Sequence, residues 1–502
     1  MLDGLTGPMS GKMKYLSNEQ CEDIHLSSLE VLEDTGVLIE SKKALDMLDE
    51  FGCEVNRKNS IVKFPNYVVE ECLKYTPHYV KLYGIDSKYD LKIEKRRTYV
   101  APASGYAIID RNTNIARDGI LQDVSEGALL SQNLDNIHSV VPFLAGAKDV
   151  PSTVMTPVLL GEVLKNTHKS VEFYLTGGES SNKDMENVLS LCKIIAGGES
   201  QLKKKPFLMF LIDPFSPLYY PENQITALFR SVEMGLPLVI MPGAIGGATA
   251  PITLAGMLVQ SNAEFLAGVV LANLVKKGTP LMYGHYNTIM DMKTGIYSAG
   301  AVEMGILGSC VAQMGDYYKV PTNGFYPMSD SHLPDQQVGY EKAIQWTLST
   351  LSGMNYLSGA GSVENGTLVS LEQLILDNEI SGMCGRVLEG VEIDERRMAV
   401  EIIKSVGPRG NYLKHKHTRE WMYKEYFRPK LSNKDSFSDW KKNAKGQDII
   451  ARAKEELDKM LQNNKSPVEK EIIKEISDFQ SKLIKFSAKG YSAVRSETEV
   501  RE

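Results

Sequence analysis

The 502-residue sequence lacks any cysteine pair at metal or redox spacing: Cys21, Cys53, Cys72, Cys192, Cys310 and Cys384 stand singly, with no histidine at ligand spacing from any of them. They read as buried reduced thiols, and no metal held by the protein is expected. The first thirteen residues contain no apolar leader, which together with the thiols points to the cytoplasm. An excess of positive charge is also missing. With 56 Lys and Arg against 63 Asp and Glu, the net charge of −7 excludes the electrostatic footprint of a nucleic-acid binder. No GxGxxG or GxxxxGK[ST] occurs, which argues against a dinucleotide-binding open sheet and against a phosphate loop. One stretch, 252–275, is long enough to cross a bilayer. Gln260, Ser261, Asn262 and Glu264 occupy its centre, where a charge costs a few kcal/mol, so it reads as a buried helix and no membrane contact is expected.

What is present is an ordinary globular balance, 43% hydrophobic and 24% charged, enough apolar material for a large core. Three zones follow one another. Residues 1–97 alternate helical stretches with short extended pieces and predict an α+β cap. Residues 432–502 are charged and predict a helical extension, its last helix opening at Ser466-Pro467-Val468-Glu469 with Ser as cap and Pro in the first turn. Between them, 98–431 carries eight short apolar runs (99–109, 139–145, 170–176, 206–212, 236–241, 280–283, 320–326 and 355–358), each followed by a helix-length segment. That alternation predicts an α/β fold, a (β/α)8 TIM barrel with its chemistry at the C-terminal strand ends.

Those ends supply the candidates. The densest polar cluster follows the seventh run, Ser329-Asp330-Ser331-His332 through Asp335 to Gln337, where Asp330 and His332 are placed to orient one another as catalytic groups, against the alternative of a helix cap beside a surface histidine. Aromatic or polar strand-end residues Tyr106, Phe215, Tyr283, His285, Phe325, Tyr326 and Gln337 form the candidate substrate site. A set of aromatic faces suits a quaternary ammonium ion, whose spread charge has no hydrogen to donate. The stretch from Gly243 to Pro251 provides either an anion site at a helix N-terminus or room for close approach of a large ligand. It contains no Lys or Arg, which favours the second, with Gly243, Gly246 and Gly247 facing that ligand.

Several of these stretches carry a family resemblance. Met241-Pro242-Gly243-Ala244-Ile245-Gly246-Gly247-Ala248-Thr249-Ala250-Pro251, Tyr283-Gly284 with Met290-Asp291-Met292-Lys293-Thr294-Gly295, Ser329-Asp330-Ser331 with Gln337-Val338-Gly339-Tyr340-Glu341-Lys342, and Asn411-Tyr412-Leu413 with His417-Thr418 resemble the trimethylamine methyltransferase family. The resemblance runs from the cap to about residue 430. It implies a barrel that moves a methyl group from an amine to the Co(I) of a separate corrinoid protein, whose face the small residues Gly243, Gly246 and Gly247 are expected to admit, in methanogenesis- or acetogenesis-linked C1 metabolism, with no cofactor tightly bound to the chain itself. The archetypal members contain pyrrolysine. None stands among these 502 letters, so the chain resembles the branch without it, whose substrates are quaternary amines such as glycine betaine, proline betaine and carnitine.

The chemistry agrees with the residue inventory. Displacement at a quaternary ammonium releases a neutral tertiary amine, so neither a general acid nor a Lewis acid is required. Aromatic faces are expected to hold the cation in preference to a buried carboxylate, because ground-state pairing would be lost as the nitrogen loses its charge. Competing readings are a phosphate-binding barrel lyase or isomerase, a non-catalytic betaine- or corrinoid-binding protein, and a metal-dependent methyltransferase. A homo-oligomer is also expected, with the all-round apolar helix over 254–275 either packed inside or forming the subunit interface.

Overall fold

The computed structural model describes residues 13–94, 97–175 and 181–488. Seven parallel strands make the central sheet: Tyr99–Pro102, Val171–Phe173, Leu208–Ile212, Leu238–Ile240, Leu281–His285, Thr322–Gly324 and Tyr356–Ala360. From Val171–Phe173 onward each pairs with the next in sequence, and the last returns to Tyr99–Pro102 through Leu357 opposite Val100. The second barrel position is filled by an irregular segment rather than a regular strand. His138 N donates to Val100 O, Val140 N to Ser170 O, and Glu172 N to Val140 O, so the ring closes through that segment. All eight apolar runs thus become wall positions of a (β/α)8 barrel.

Side-chain alternation along the strands separates two apolar layers. Tyr99, Met209, Leu211, Val239, Met241, Met282 and Tyr356 face the lumen as one cluster, while Phe210, Ile240, Leu281, Tyr283 and Leu357 pack outward against the helices. The hairpin of Tyr79–Leu82 and Leu91–Glu94 inserts Val80, Leu82, Leu91 and Ile93 into the lumen cluster. It stoppers the N-terminal end of the barrel, leaving the C-terminal end for chemistry.

The N-terminal zone is joined closely to the barrel. Its strand Val37–Ile39 pairs in parallel with Tyr219–Tyr220, which belong to the loop after the fourth barrel position. Helix Leu254–Val275 lies between barrel and cap, and its central polar residues have defined partners. Glu264 accepts from Leu218 N at 2.9 Å, Ser216 Oγ at 2.8 Å and Gln260 Nε2 at 3.1 Å, while Asn262 Nδ2 donates to Ser28 Oγ and to Tyr318 Oη. This helix is long and apolar enough to cross a membrane, yet most of it is buried inside the protein between barrel and cap. The C-terminal helices Ile449–Asn463 and Lys470–Ala488 pack on outer barrel helices. The last begins three residues later than its sequence signal. Ser466 Oγ donates to Lys165 O instead of opening the helix, although it still accepts from Val468 N.

Candidate active site

Strand alternation dictates which residues reach the C-terminal mouth. Continuing inward positions upward gives Tyr174 after Glu172, Asp213 after Leu211, Gly243 after Met241, Tyr286 after Gly284, and Phe325 after Asn323. Tyr174, Tyr286 and Phe325 are half-buried and pack on the lumen cluster. Tyr286 Oη donates to Asp213 Oδ1 at 2.9 Å, and the ring lies directly over Gly243, where an added Cβ would stand 1.8 Å from Tyr286 Cζ. Glycine at 243 is therefore what allows this ring position. Tyr297 Oη donates to the Tyr286 carbonyl at 3.0 Å and completes the arrangement.

Burial pushes the Asp213 carboxyl up to about 7, opposed by the Tyr286 hydroxyl and reinforced by Glu264. One layer below, burial likewise raises Glu172 to about 7; Asn323 Nδ2 and Ser358 Oγ approach its Oε1 at only 3.4 and 3.5 Å. Tyr174 is raised to about 12 by burial, within the field of Tyr106, Glu172 and Asp213. The mouth is thus an aromatic surface around one acid, with a second acid beneath.

The sequence-predicted residues fall into three groups. Phe325 lies at the lumen mouth; Tyr106 and Phe215 are exposed at 75% and 48%, in loops that follow the first and fourth barrel positions. Tyr283, His285 and Tyr326 are not at the mouth. They occupy the opposite parity and point into the helix layer: Tyr283 stacks on Phe265 at 3.9 Å, and His285 packs against Tyr326 at 5.0 Å beneath Gly308. Burial lowers His285 to about 3, leaving a neutral imidazole in the wall. The third group is polar. Gln337 donates to Glu341 Oε1 along its own helix, and Asp335 caps that helix by accepting from Val338 N.

Asp330 and His332 do not orient one another. Asp330 accepts from Ser298 Oγ and Gly300 N, both at 2.6 Å, and so pins the segment that carries Tyr297. Its connection to the mouth runs through Tyr297 and Tyr286, making it a positioning residue. His332 turns to solvent, its side chain 77% exposed, and meets Glu364 at 3.0 Å. The glycines separate as well: Gly243 is covered by Tyr286, Gly246 faces Met257 of the long helix, and only Gly247 is exposed, at φ +87° beside Ile252 and Met292. Among the described residues no group of three His, Cys, Asp or Glu could hold a metal ion, and all six cysteines are buried and free.

Comparison with known proteins bears on this geometry. A family model described as "Trimethylamine methyltransferase (MTTB)" matches residues 6–484. The trimethylamine methyltransferase MttB of Desulfitobacterium hafniense is 33% identical over 448 residues, covering 89% of each chain. That of Methanosarcina thermophila is 31% identical over 479 residues, 93% of this chain and 96% of its own. A glycine betaine methyltransferase of Desulfitobacterium hafniense is 31% identical over 437 residues, 87% and 90%. Among solved structures, the Methanosarcina barkeri monomethylamine methyltransferase (MtmB) aligns over 91% of this chain and 95% of its own, with a TM-score of 0.49 and 13% identity.

Proposed function

The chain belongs to the trimethylamine methyltransferase family, and from that premise we propose that it transfers a methyl group from a quaternary amine of the betaine type to the Co(I) of a separate corrinoid protein. The observation that carries this reading is the mouth itself, where the rings of Tyr174, Tyr286 and Phe325 stand with Asp213 at the open end of the lumen. A trialkylammonium methyl is attracted to ring faces and to a carboxylate, and needs no hydrogen-bond acceptor. The glycine betaine methyltransferase relative supports the same substrate class.

The corrinoid is a co-substrate here. Its cobalt lone pair forms the new bond to carbon as the C–N bond breaks, and that bond pair remains on nitrogen as a neutral tertiary amine. No proton moves. This chain's residues therefore act by placement: the rings fix the nitrogen while one methyl faces the mouth, and the closed hairpin end denies approach from below. A carboxylate at the site departs from the expectation of aromatic faces alone. The Tyr286 hydroxyl bonded to Asp213 takes up part of its charge, which limits how far the bound cation is stabilised over the transition state.

The test is a panel of methylamines and quaternary amines offered with free cob(I)alamin, followed by its visible spectrum. The proposal expects methylation from one or more quaternary amines and a much lower rate from trimethylamine. Methylation by trimethylamine alone contradicts the substrate class while leaving the family unaffected.

A further inference from the structure

After helix Leu371–Glu389 the chain makes an excursion before returning to that helix, where Leu431 N and Ser432 N donate to Glu379. Barrel helices run antiparallel to their strands, so the excursion leaves from the N-terminal end of the barrel, opposite the mouth. The groove at its base, about 480 Å³, is lined by Val100 of the first strand and Thr98 just before it, together with Arg386, Glu389, Tyr423 and Phe427. The excursion packs on itself. Trp421 is its one buried nucleus, surrounded by Arg396, Arg397 and Lys424 at 4.6 to 5.7 Å, and the tip is tied by Thr418 Oγ to Tyr412 O and by His415 Nδ1 to His417 N.

It is also uncovered. Ten large apolar side chains between 391 and 426 are at least 41% exposed, Val391 and Leu413 at 81% and 80%. Two of them, Tyr412 at 41% and Leu413, belong to its tip. Charge indicates what covers it. The tip, 407–419, holds Arg409, Lys414, Lys416 and Arg419 and no acid; all four are exposed and none has an ion-pair partner among the described residues. The converse surface lies on helix Asn18–Glu30 and the turn after it. Glu19, Glu22, Asp23, Glu30, Glu33 and Asp34 are all exposed, no Lys or Arg occurs between 15 and 41, and none of the six is paired with one among the described residues. Leu26, 54% exposed, lies within this acidic face.

We infer that the 390–426 arm is a docking element for a second copy of this chain, its cationic apolar tip seated on the acidic face of helix Asn18–Glu30 of that copy. In a two-fold pair each copy gives one arm and receives one, so the contact is made twice. Both barrel mouths stay open because the arms leave from the opposite end. The inference does not depend on the proposed substrate.

Sedimentation velocity of the full chain at micromolar concentration is expected to give twice the 55.7 kDa chain mass, with a dissociation constant rising roughly tenfold or more between 0.05 and 0.5 M NaCl as the ion pairs are screened. Reversing the tip, with R409E, K414E, K416E and R419E combined, is expected to yield monomer. Mixing that variant with one carrying E19K, E22K, D23K and E30K is expected to restore association. Independently of variant folding, zero-length carbodiimide coupling of a mixture of isotopically light and heavy wild-type chains is expected to join Lys414 or Lys416 of one isotope to Glu19, Glu22 or Asp23 of the other. A monomeric wild-type chain overturns the inference, as do cross-links confined elsewhere, a dimer indifferent to both charge reversals, or an arm that associates only with a different protein.

Discussion

Replacing Asp213 by Asn tests the mouth most sharply, because the carboxyl is held far from its ordinary ionisation. Its free value of 3.8 is raised to about 7 by burial, so it changes charge across the neutral range. A permanently cationic ligand binds the ionised form better. Affinity for a quaternary ammonium should therefore rise with pH and level off once the pH passes the ligand-free value near 7, while the bound ligand itself draws the ionisation downward. At a separation of about 5 Å and an effective dielectric constant of about 20, the pair is worth ~3 kcal/mol. Sharing of the charge with Tyr286 Oη reduces this to about 1–2 kcal/mol, an expected loss of roughly tenfold in affinity for Asp213→Asn above pH 8. Titration calorimetry with tetramethylammonium or glycine betaine between pH 5.5 and 8.5 measures it. The variant should bind weakly at every pH, with most of the slope gone and only the smaller contribution of Glu172 beneath the mouth remaining. A variant keeping the wild-type slope would show that Asp213 is not the charge facing the ligand, and the argument from its position would fail.

Other outcomes follow from the same packing. Tyr286→Phe keeps the ring but frees Asp213, and Phe325→Leu removes a ring; the latter should raise KM by about 0.5–2 kcal/mol with a smaller effect on kcat, as steady-state kinetics would show. Gly243→Ala should displace the Tyr286 ring, since its Cβ falls 1.8 Å from Cζ, and abolish turnover while the circular dichroism spectrum is retained. His332→Ala should leave methyl transfer unchanged, whereas Asp330→Asn should lower kcat by loosening the segment bearing Tyr297; equal rates for both variants would contradict the positioning role. Burial raises Glu172, Asp213 and Glu264 each to about 7, so folding binds protons: the stability they contribute is full below pH 4, is lost as pH rises through about 7, and should appear as a melting temperature lower at pH 8 than at pH 5.5. Lys342→Met should cost about 3–5 kcal/mol in denaturant unfolding, because it leaves Asp377 buried without the Nζ now 2.6 Å away.

The barrel was legible because each wall strand is a short apolar run with a helix behind it, and all eight runs fall at wall positions. The irregular second position still read as apolar, since Val140, Val141, Phe143 and Leu144 are buried whether or not the ladder is regular. The site was legible only in part. Choosing aromatic residues by nearness to strand ends ignored alternation, which sends Tyr283 and His285 outward while sending Gly284 and Tyr286 inward. Counting in twos from the small Gly284 would have selected Tyr286, and counting from Leu211 would have selected Asp213. The separation of Asp330 from His332 has another origin. Nothing in the spacing distinguishes a loop staple from a catalytic pair; that depends on Ser298 and Gly300, more than thirty residues away in sequence for Ser298 and thirty for Gly300, which only the folded chain brings to the carboxylate.

The most direct test of the central claim uses glycine betaine and its analogues bearing trideuteriomethyl groups on nitrogen, with Co(I) corrinoid as acceptor and mass spectrometry of both products. The account predicts an intact trideuteriomethyl group on cobalt, one equivalent of tertiary amine per methyl transferred, and loss of both in the Gly243→Ala variant. Hydrogen exchange into the transferred methyl, release of amine without cobalt methylation, or an unimpaired Gly243→Ala enzyme would contradict direct in-line transfer at the Tyr286 and Asp213 mouth.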